Sequence, residues 1–239
     1  MLGTYLNIIG VVLGGLMGLA MRRPFSERLQ LYLKVVLGVY TVWVGMKITF
    51  TSFGGSFWQI GKQALILMLA IVLGHLIGRL LRLQKGVNRL GQVAKQKLAA
   101  AKPDSPTRAS DGFIAAAILY CAAPLAMLGP LQDGLAQNFQ PLLIKAVMDG
   151  LIAMALVMTC GWPVILAAVP MAAFQVTVTR AAQWVEPMLL DRALVDPVNG
   201  ICGLIMVSMA LIIFEVRRVE LADYLPCLAV APLLAWLWR

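Results

Sequence analysis

Apolar segments of about 17 to 20 residues recur along the whole chain, and they constrain its fold more than any other feature. An α-helix of that length, rising about 1.5 Å per residue, crosses roughly 30 Å of hydrocarbon. Hydrophobic residues make up 61% of the 239 positions and charged residues only 13%, whereas about a quarter of the residues in a soluble domain are charged. The sequence therefore predicts an all-α polytopic membrane protein.

Eight segments qualify as membrane spans, and the last is the weakest. It contains Pro226 and Pro232, so it is either a full span or a broken, partly interfacial helix, because proline interrupts helical hydrogen bonding. We therefore expect seven or eight transmembrane helices. The spans are predicted near residues 5–21, 31–50, 64–83, 113–131, 142–160, 162–179, 198–214 and 222–238.

Basic residues fall mainly on one side of the membrane when the loops are assigned alternately. No Lys or Arg precedes the first apolar segment and two follow it, which is unlike a signal peptide and favours an N-terminus outside the cytoplasm. Thirteen basic loop residues are then cytoplasmic and four are not: Arg22, Arg23, Arg28, the eight basic residues from Arg79 to Arg108, Arg217 and Arg218, against Lys62, Arg180, Arg192 and Arg239. This bias predicts a multi-pass membrane protein with its N-terminus outside, and it accounts for the net charge of +9 without a nucleic-acid partner.

One substantial polar segment interrupts the apolar pattern, and its core is a basic cytoplasmic linker at residues 85–111. It begins as a basic amphipathic helix and ends in a turn region rich in Pro, Ser and Asp. One interpretation is a connector that touches anionic lipid head groups, at about 1 kcal/mol per basic residue. The other is a regulatory or partner-binding segment.

The linker divides the chain into two similar parts, residues 1–84 and 112–180. "YLKVVLGVYTVWVGM" (32–46) aligns with "LIKAVMDGLIAMALV" (143–157), so that Lys34 matches Lys145. Three spans in each part would place the second upside down relative to the first. We therefore predict an inverted repeat of two three-helix units, an architecture found in transporters, followed by a C-terminal helical hairpin at residues 197–239.

Glycines form stripes on two of the predicted helices: Gly10, Gly14 and Gly18 on the first, and Gly74 and Gly78 on the third. Glycine lets two backbones approach closely, so these stripes predict helix packing within the chain, with a subunit interface or close approach to a solute as alternatives. His75, between the last two, is interpreted as a packed or interfacial side chain, with a proton relay as the alternative.

Two ionisable residues in an apolar segment, Lys145 and Asp149, are the strongest candidates for a functional site. Their spacing places both side chains on one face of a helix. A charge inside the bilayer is costly, so such groups face the protein interior and pair with each other or with water. The pair is either part of a substrate or ion pathway or a structural pair that fixes helix register. Lys145, nearer the helix end, can alternatively extend toward the interface.

Further polar residues in the spans are candidates for the same pathway: Asn7, Lys34, Gln175 and Asn199. Each is alternatively a hydrogen-bonding residue between helices. Pro124 and Pro170 predict kinks within their spans. The four cysteines form no CxxC pattern and no metal, cofactor or catalytic motif is recognisable, so we expect no metal site, no cofactor and no enzymatic activity.

The segment "AMLGPLQDGLAQNFQPLLIKAVMDGL" (126–151), together with "GTYLNIIGVVLGGLMG" (3–18) and "LADYLPCLAVAPLL" (221–234), resembles the bacterial inner-membrane family catalogued as domain of unknown function 554. The resemblance implies a multi-pass membrane protein without an assigned activity. "CAAPLAMLG" (121–129) departs from the more glycine-rich or methionine-containing helix that the resemblance implies at this position. The residues that match its pattern are Gly3, Asn7, Gly129, Asp133, Gly134, Lys145, Asp149, Gln175 and Pro226.

These features together favour a transporter or channel for a small polar or ionic solute, embedded in the lipid bilayer and homo-oligomeric. The alternative is a non-transporting membrane protein that organises partners or lipids through its basic linker.

Overall fold

Helices account for nearly all the regular structure, and the described residues contain no β-strand. The computed structural model describes residues 1–21, 25–101, 105–190, 193–217 and 219–238. The predicted cytoplasmic residues Arg22, Arg23, Lys102 and Arg218, and the predicted outer residues Arg192 and Arg239, lie outside these ranges. The helices are α1 (Leu2–Ala20), α2 (Glu27–Thr51), α3 (Phe57–Leu80), α4 (Leu83–Ala100), α5 (Arg108–Ala122), α6 (Leu125–Leu135), α7 (Gln140–Cys160), α8 (Pro163–Leu166), α9 (Ala168–Leu190), α10 (Val195–Ile213) and α11 (Cys227–Leu237).

The predicted all-α membrane fold is confirmed. Six apolar segments in the described chain are long enough to cross a membrane, namely α1, α2, α3, α7, the α8–α9 segment and α10. The α5–α6 pair makes a seventh if it is one bent span. The eighth predicted span is a 3₁₀ turn, Leu221–Tyr224, followed by the short α11. The 11 residues of α11 extend only about 16 Å, roughly half the hydrocarbon thickness.

The bend between α5 and α6 follows from one residue, Pro124. The two helices meet at 53°. Proline has no backbone N–H and disfavours helical geometry in the residue before it, and Ala123 accordingly has extended backbone with φ −66° and ψ 139°. The kink predicted at Pro124 is therefore present. Pro170, in contrast, lies in the first turn of α9, where the missing N–H costs no helical hydrogen bond.

Glycine ends α7. Gly161 follows Cys160 with φ +88°, a conformation that costs glycine little. Its N–H still donates to the carbonyl of Val157, and Pro163 then begins α8. The chain thus turns sharply between α7 and the α8–α9 segment.

The helix predicted at the start of the basic linker is also present, as α4. Ala94 is buried, whereas Lys85, Arg89 and Lys95 are exposed. Lys97 forms an ion pair with Asp111 at 2.8 Å, across the end of the linker.

The chain forms two compact units that interleave in sequence. The first comprises Met1–Glu27 and Gly86–Ala182, and the second comprises Arg28–Lys85 and Gln183–Arg239. This grouping differs from the sequence division at the linker, since α1 lies with the second half of the chain. The inverted repeat stays a prediction.

In the first unit α1 packs along α7, and α6 and α8 also contact α7. Buried apolar residues of α1, α5, α7 and α9 form one core, which includes Val11, Tyr120, Ala153 and Met171. In the second unit α3 packs against α11, and α10 contacts both.

Candidate functional site

Small residues bring α1 and α7 into backbone contact. Gly10, Gly14 and Gly18 lie against Ala146, Gly150 and Met154 of α7, respectively. A Cβ at Gly10 would lie 2.6 Å from the carbonyl oxygen of Ala146, and a Cβ at Gly14 would lie even closer to that of Gly150. The stripe predicted from the sequence therefore packs within the chain, and it sets the distance between the polar residues that flank it.

The Lys145 and Asp149 side chains meet inside this helix pair. Lys145 Nζ donates to Asp149 Oδ2 at 2.5 Å, and the two side chains are 2% and 6% exposed. Lys145 thus turns along α7 toward Asp149 instead of extending to an interface. The two residues share a face, as their spacing predicts.

Asn7 of α1 joins the pair. Its amide nitrogen lies 3.4 Å from Asp149 Oδ2 and 3.5 Å from the sulfur of Met171 in α9. Asn7 is fully buried, and its amide oxygen has no hydrogen-bond partner among the described residues. Three helices therefore converge on one polar point in an otherwise apolar core.

Gln175 belongs to the same face of α9. Met171, Gln175 and Thr179 are spaced by four residues, which places them in one stripe. Met171 contacts Asn7, and Thr179 shares a hydrogen bond of 3.0 Å with Thr4 of α1. Gln175 consequently lies on α9 between the two residues that make these contacts. It is fully buried, and neither atom of its amide group has a protein partner in the described chain.

Asp133 of α6 holds the N-terminus of α1. Its carboxylate accepts from the backbone N–H groups of Gly3 at 3.3 Å and Thr4 at 3.1 Å, and from the Thr4 hydroxyl at 3.1 Å. The Met1 amino group lies 3.2 Å from the same carboxylate. A carboxylate at a helix N-terminus satisfies amides that lack a partner within the helix. Asp133 therefore fixes the end of α1 nearest Asn7.

Sequence reasoning did not select Tyr120. It is fully buried in the core of the first unit, in the same cluster as Ala153 of α7 and Met171 of α9. Its hydroxyl has no partner among the described side chains and backbone groups. The sequence signal for Tyr120 was weak. It consists of one hydroxyl in the apolar run "AAAILYCAAP", whose only other polar side chain is a cysteine.

Two predicted pathway residues, Lys34 and Asn199, belong to the second unit, and their place in the pathway stays a prediction. Lys34 forms an ion pair with Glu215 within the second unit, and these side chains are 32% and 78% exposed. Asn199 lies half-buried on α10 of that unit. Lys34 lies in the first half of α2, and its side chain reaches a carboxylate just beyond the end of α10.

The remaining predicted packing residues also lie in the second unit. Gly78 contacts the backbone of Asp223 and Gly74 that of Cys227. His75 stacks on Tyr224 with ring centroids 4.5 Å apart. These contacts agree with the packed interpretation of the histidine. None of the four cysteines forms a disulfide bond, and Cys121 is the least buried of them.

A cavity of about 550 Å³ lies in the second unit beside the loop between α2 and α3. Lys62 and Asp196 bring opposite charges to its lining, and Lys62 donates to the carbonyl of Trp238. Among the described residues no group of three or more His, Cys, Asp or Glu is placed to hold a metal ion.

Comparison with known proteins agrees with this architecture. The profile of the family described as "Protein of unknown function (DUF554)" matches residues 2–236. The chain is 25% identical to the uncharacterized protein YqgA of Escherichia coli K12 over 240 residues, which cover 99% of this chain and 97% of YqgA. It is 23% identical to the uncharacterized membrane protein YdfK of Bacillus subtilis 168 over 233 residues, covering 97% and 94% of the two chains.

No solved structure matches the chain. Of the nine residues that carried the resemblance, eight belong to the first unit, and Pro226 belongs to the second. The chain is therefore a member of the DUF554 family of proteins of unknown function.

Proposed function

We propose that the protein moves a small polar or ionic solute across the bacterial inner membrane, through a pathway that includes Asn7, Lys145, Asp149 and Gln175. The observation that supports this most is the buried ion pair of α7 with Asn7 beside it, together with the buried Gln175 amide of α9, which has no partner among the described residues. Ionisable groups inside a membrane protein commonly mark solute or proton pathways.

A purely structural pair would favour a different environment. Buried polar groups in a packed core normally find hydrogen-bond partners within the protein, since each unmade bond costs about 1–3 kcal/mol. Asn7, Gln175 and Tyr120 all retain buried polar atoms without such partners. This pattern favours a site that exchanges hydrogen bonds with a passing solute.

The experiment is reconstitution in proteoliposomes, with uptake measured for a broad panel of ions and metabolites. We expect uptake of at least one solute above that of empty liposomes, and a loss of about tenfold or more in Asp149→Asn. Glu215→Gln is the matched control, because it makes the same carboxylate-to-amide change at a side chain that is 78% exposed. Absence of uptake for the whole panel would contradict the proposal.

The second candidate is a protein that organises lipids or partners through α4. Its support is the exposed basic side chains of Lys85, Arg89 and Lys95 on a helix whose other side buries Ala94. Replacing the three basic residues by Gln should then abolish binding of the purified protein to vesicles containing anionic lipid and abolish its cellular function, whereas Asp149→Asn should have no effect. The opposite pattern favours transport.

The orientation with the N-terminus outside and the homo-oligomeric state are parts of the same proposal. The distribution of basic loop residues supports the orientation. Cross-linking in native membranes followed by mass measurement tests the subunit number.

A further inference from the structure

We infer that the solute is net-neutral and carries both hydrogen-bond donors and acceptors, and this inference rests on the proposed transport function. The site is the set of buried polar groups around Asn7, namely Asn7, Tyr120, Lys145, Asp149 and Gln175, which we call the Asn7 cluster.

The buried carboxylates described in the first unit all have cationic partners. Lys145 and Asp149 neutralise each other at 2.5 Å. Asp133 lies against the Met1 amino group and Asp111 against Lys97. Every fully buried carboxylate described in this unit thus has a cationic partner. A bare ion entering the Asn7 cluster would lose its hydration and meet no uncompensated opposite charge, which is strongly unfavourable in a low-dielectric interior.

The hydrogen-bonding capacity that remains is neutral and of both kinds. Asn7 Oδ1 and Gln175 Oε1 are acceptors, Gln175 Nε2 is a donor, and the Tyr120 hydroxyl is both. None of these atoms has a partner within the described protein, and all three side chains are fully buried. A polyol, an amide or a net-neutral amino acid offers groups that complement this set.

Their placement supports a shared site. The Asn7 amide contacts both Asp149 and Met171. Tyr120 and Met171 belong to one buried cluster of side chains, and Gln175 follows Met171 by one helical turn on the face of α9 whose Met171 and Thr179 contact α1. Gln175 therefore lies on the face of α9 that packs against α1, between the Met171–Asn7 and Thr179–Thr4 contacts.

The test compares neutral probes with ions in the same proteoliposomes. Uptake of glycerol, urea and serine is followed by stopped-flow light scattering or radiolabel, and currents of K⁺, Na⁺ and Cl⁻ are recorded in planar bilayers. We expect uptake of at least one neutral probe at fivefold or more the rate of empty liposomes, without ion current. Gln175→Leu should remove most of that uptake, and Gln92→Leu, an exposed change on α4, should not.

We also expect Gln175→Leu to fold, so that its uptake can be compared with that of the unchanged protein. Replacing a buried amide that lacks partners by an apolar side chain of similar size should leave the protein at least as stable as before. Gln175→Asn, which keeps the amide but shortens the side chain, provides a second variant with a smaller loss of uptake.

The outcomes distinguish an error in the inferred solute class from an error in the proposed transport function. A K⁺, Na⁺ or Cl⁻ current that Gln175→Leu abolishes, without uptake of any neutral probe, would overturn the net-neutral solute and leave transport in place. Neutral uptake that Gln175→Leu does not change would overturn the assignment of the Asn7 cluster. Neither uptake nor current, combined with a negative result for the wider panel, would overturn the proposed function itself.

Discussion

Removing one partner of the Lys145–Asp149 pair should destabilise the protein far more than removing both. The Nζ–Oδ2 distance is 2.5 Å, and the side chains are 2% and 6% exposed. Breaking a pair this deeply buried leaves an uncompensated charge and typically costs about 3–5 kcal/mol. We therefore expect Lys145→Met and Asp149→Leu each to lower the free energy of unfolding by about 3 kcal/mol or more.

The double variant Lys145→Met/Asp149→Leu should recover most of this loss, because no charge is then left buried. Replacement of an entire buried pair by apolar residues is often neutral or stabilising. The coupling energy from the double-mutant cycle should thus be about 2 kcal/mol or more in magnitude. Lys34→Met is the matched control: its pair with Glu215 is 32% and 78% exposed, so its loss should be about 1 kcal/mol or less.

The assay is unfolding of the purified protein in dodecylmaltoside micelles by increasing fractions of dodecyl sulfate, followed by fluorescence of the six tryptophans. Losses for Lys145→Met and Asp149→Leu that simply add in the double variant would show that the two side chains are not energetically coupled, contrary to this prediction. A Lys34→Met loss equal to that of Lys145→Met would also contradict the prediction.

Three further predictions concern packing, capping and topology. Gly14→Ala should lower the free energy of unfolding by about 1–3 kcal/mol, because the new Cβ overlaps the Gly150 carbonyl. Gly61 has open space around it, so Gly61→Ala should be neutral or stabilising by up to about 1 kcal/mol. Equal effects of the two substitutions would contradict the close approach of α1 and α7. Asp133→Ala should lower the free energy of unfolding by about 1–2 kcal/mol in the same titration, because the Gly3 and Thr4 amides lose their acceptor. Asp196 is an exposed residue in the first turn of α10, so Asp196→Ala should change the free energy of unfolding by less than about 0.5 kcal/mol. A smaller loss for Asp133→Ala than for Asp196→Ala would be inconsistent with capping. In a cysteine-free background, Lys95→Cys should react with a membrane-impermeant maleimide in inverted vesicles and not in intact spheroplasts; the reverse would place the N-terminus inside.

Local regularities allowed much of the fold to be predicted from the sequence. Helical periodicity is sufficient to place Lys145 and Asp149 on one face and to align Gly10, Gly14 and Gly18, since both depend only on spacing along one helix. The break at Pro124 and the short last helix likewise follow from proline chemistry. These features need no knowledge of neighbouring helices.

The partners of each residue were harder to predict, because they depend on how distant segments pack. Asn7 and Asp149 are 142 positions apart, and nothing in either segment specifies the other. Lys34 was matched to Lys145 by alignment, yet it pairs with Glu215. Asp133 matches the family pattern, but the sequence does not indicate its role. The structure shows that it accepts hydrogen bonds from the start of α1. Tyr120 lacks a pattern that would separate it from an ordinary core tyrosine.

If the Asn7 cluster is the proposed solute pathway, water reaches it, whereas a dry structural contact excludes water. The most direct test is the reactivity of single cysteines in a background whose four native cysteines are replaced by alanine. Gln175→Cys is compared with Ala153→Cys, a fully buried position in the apolar core of α7. We expect a small water-soluble methanethiosulfonate to modify Gln175→Cys at least tenfold faster than Ala153→Cys. Equal, slow modification of both positions would contradict the proposed pathway.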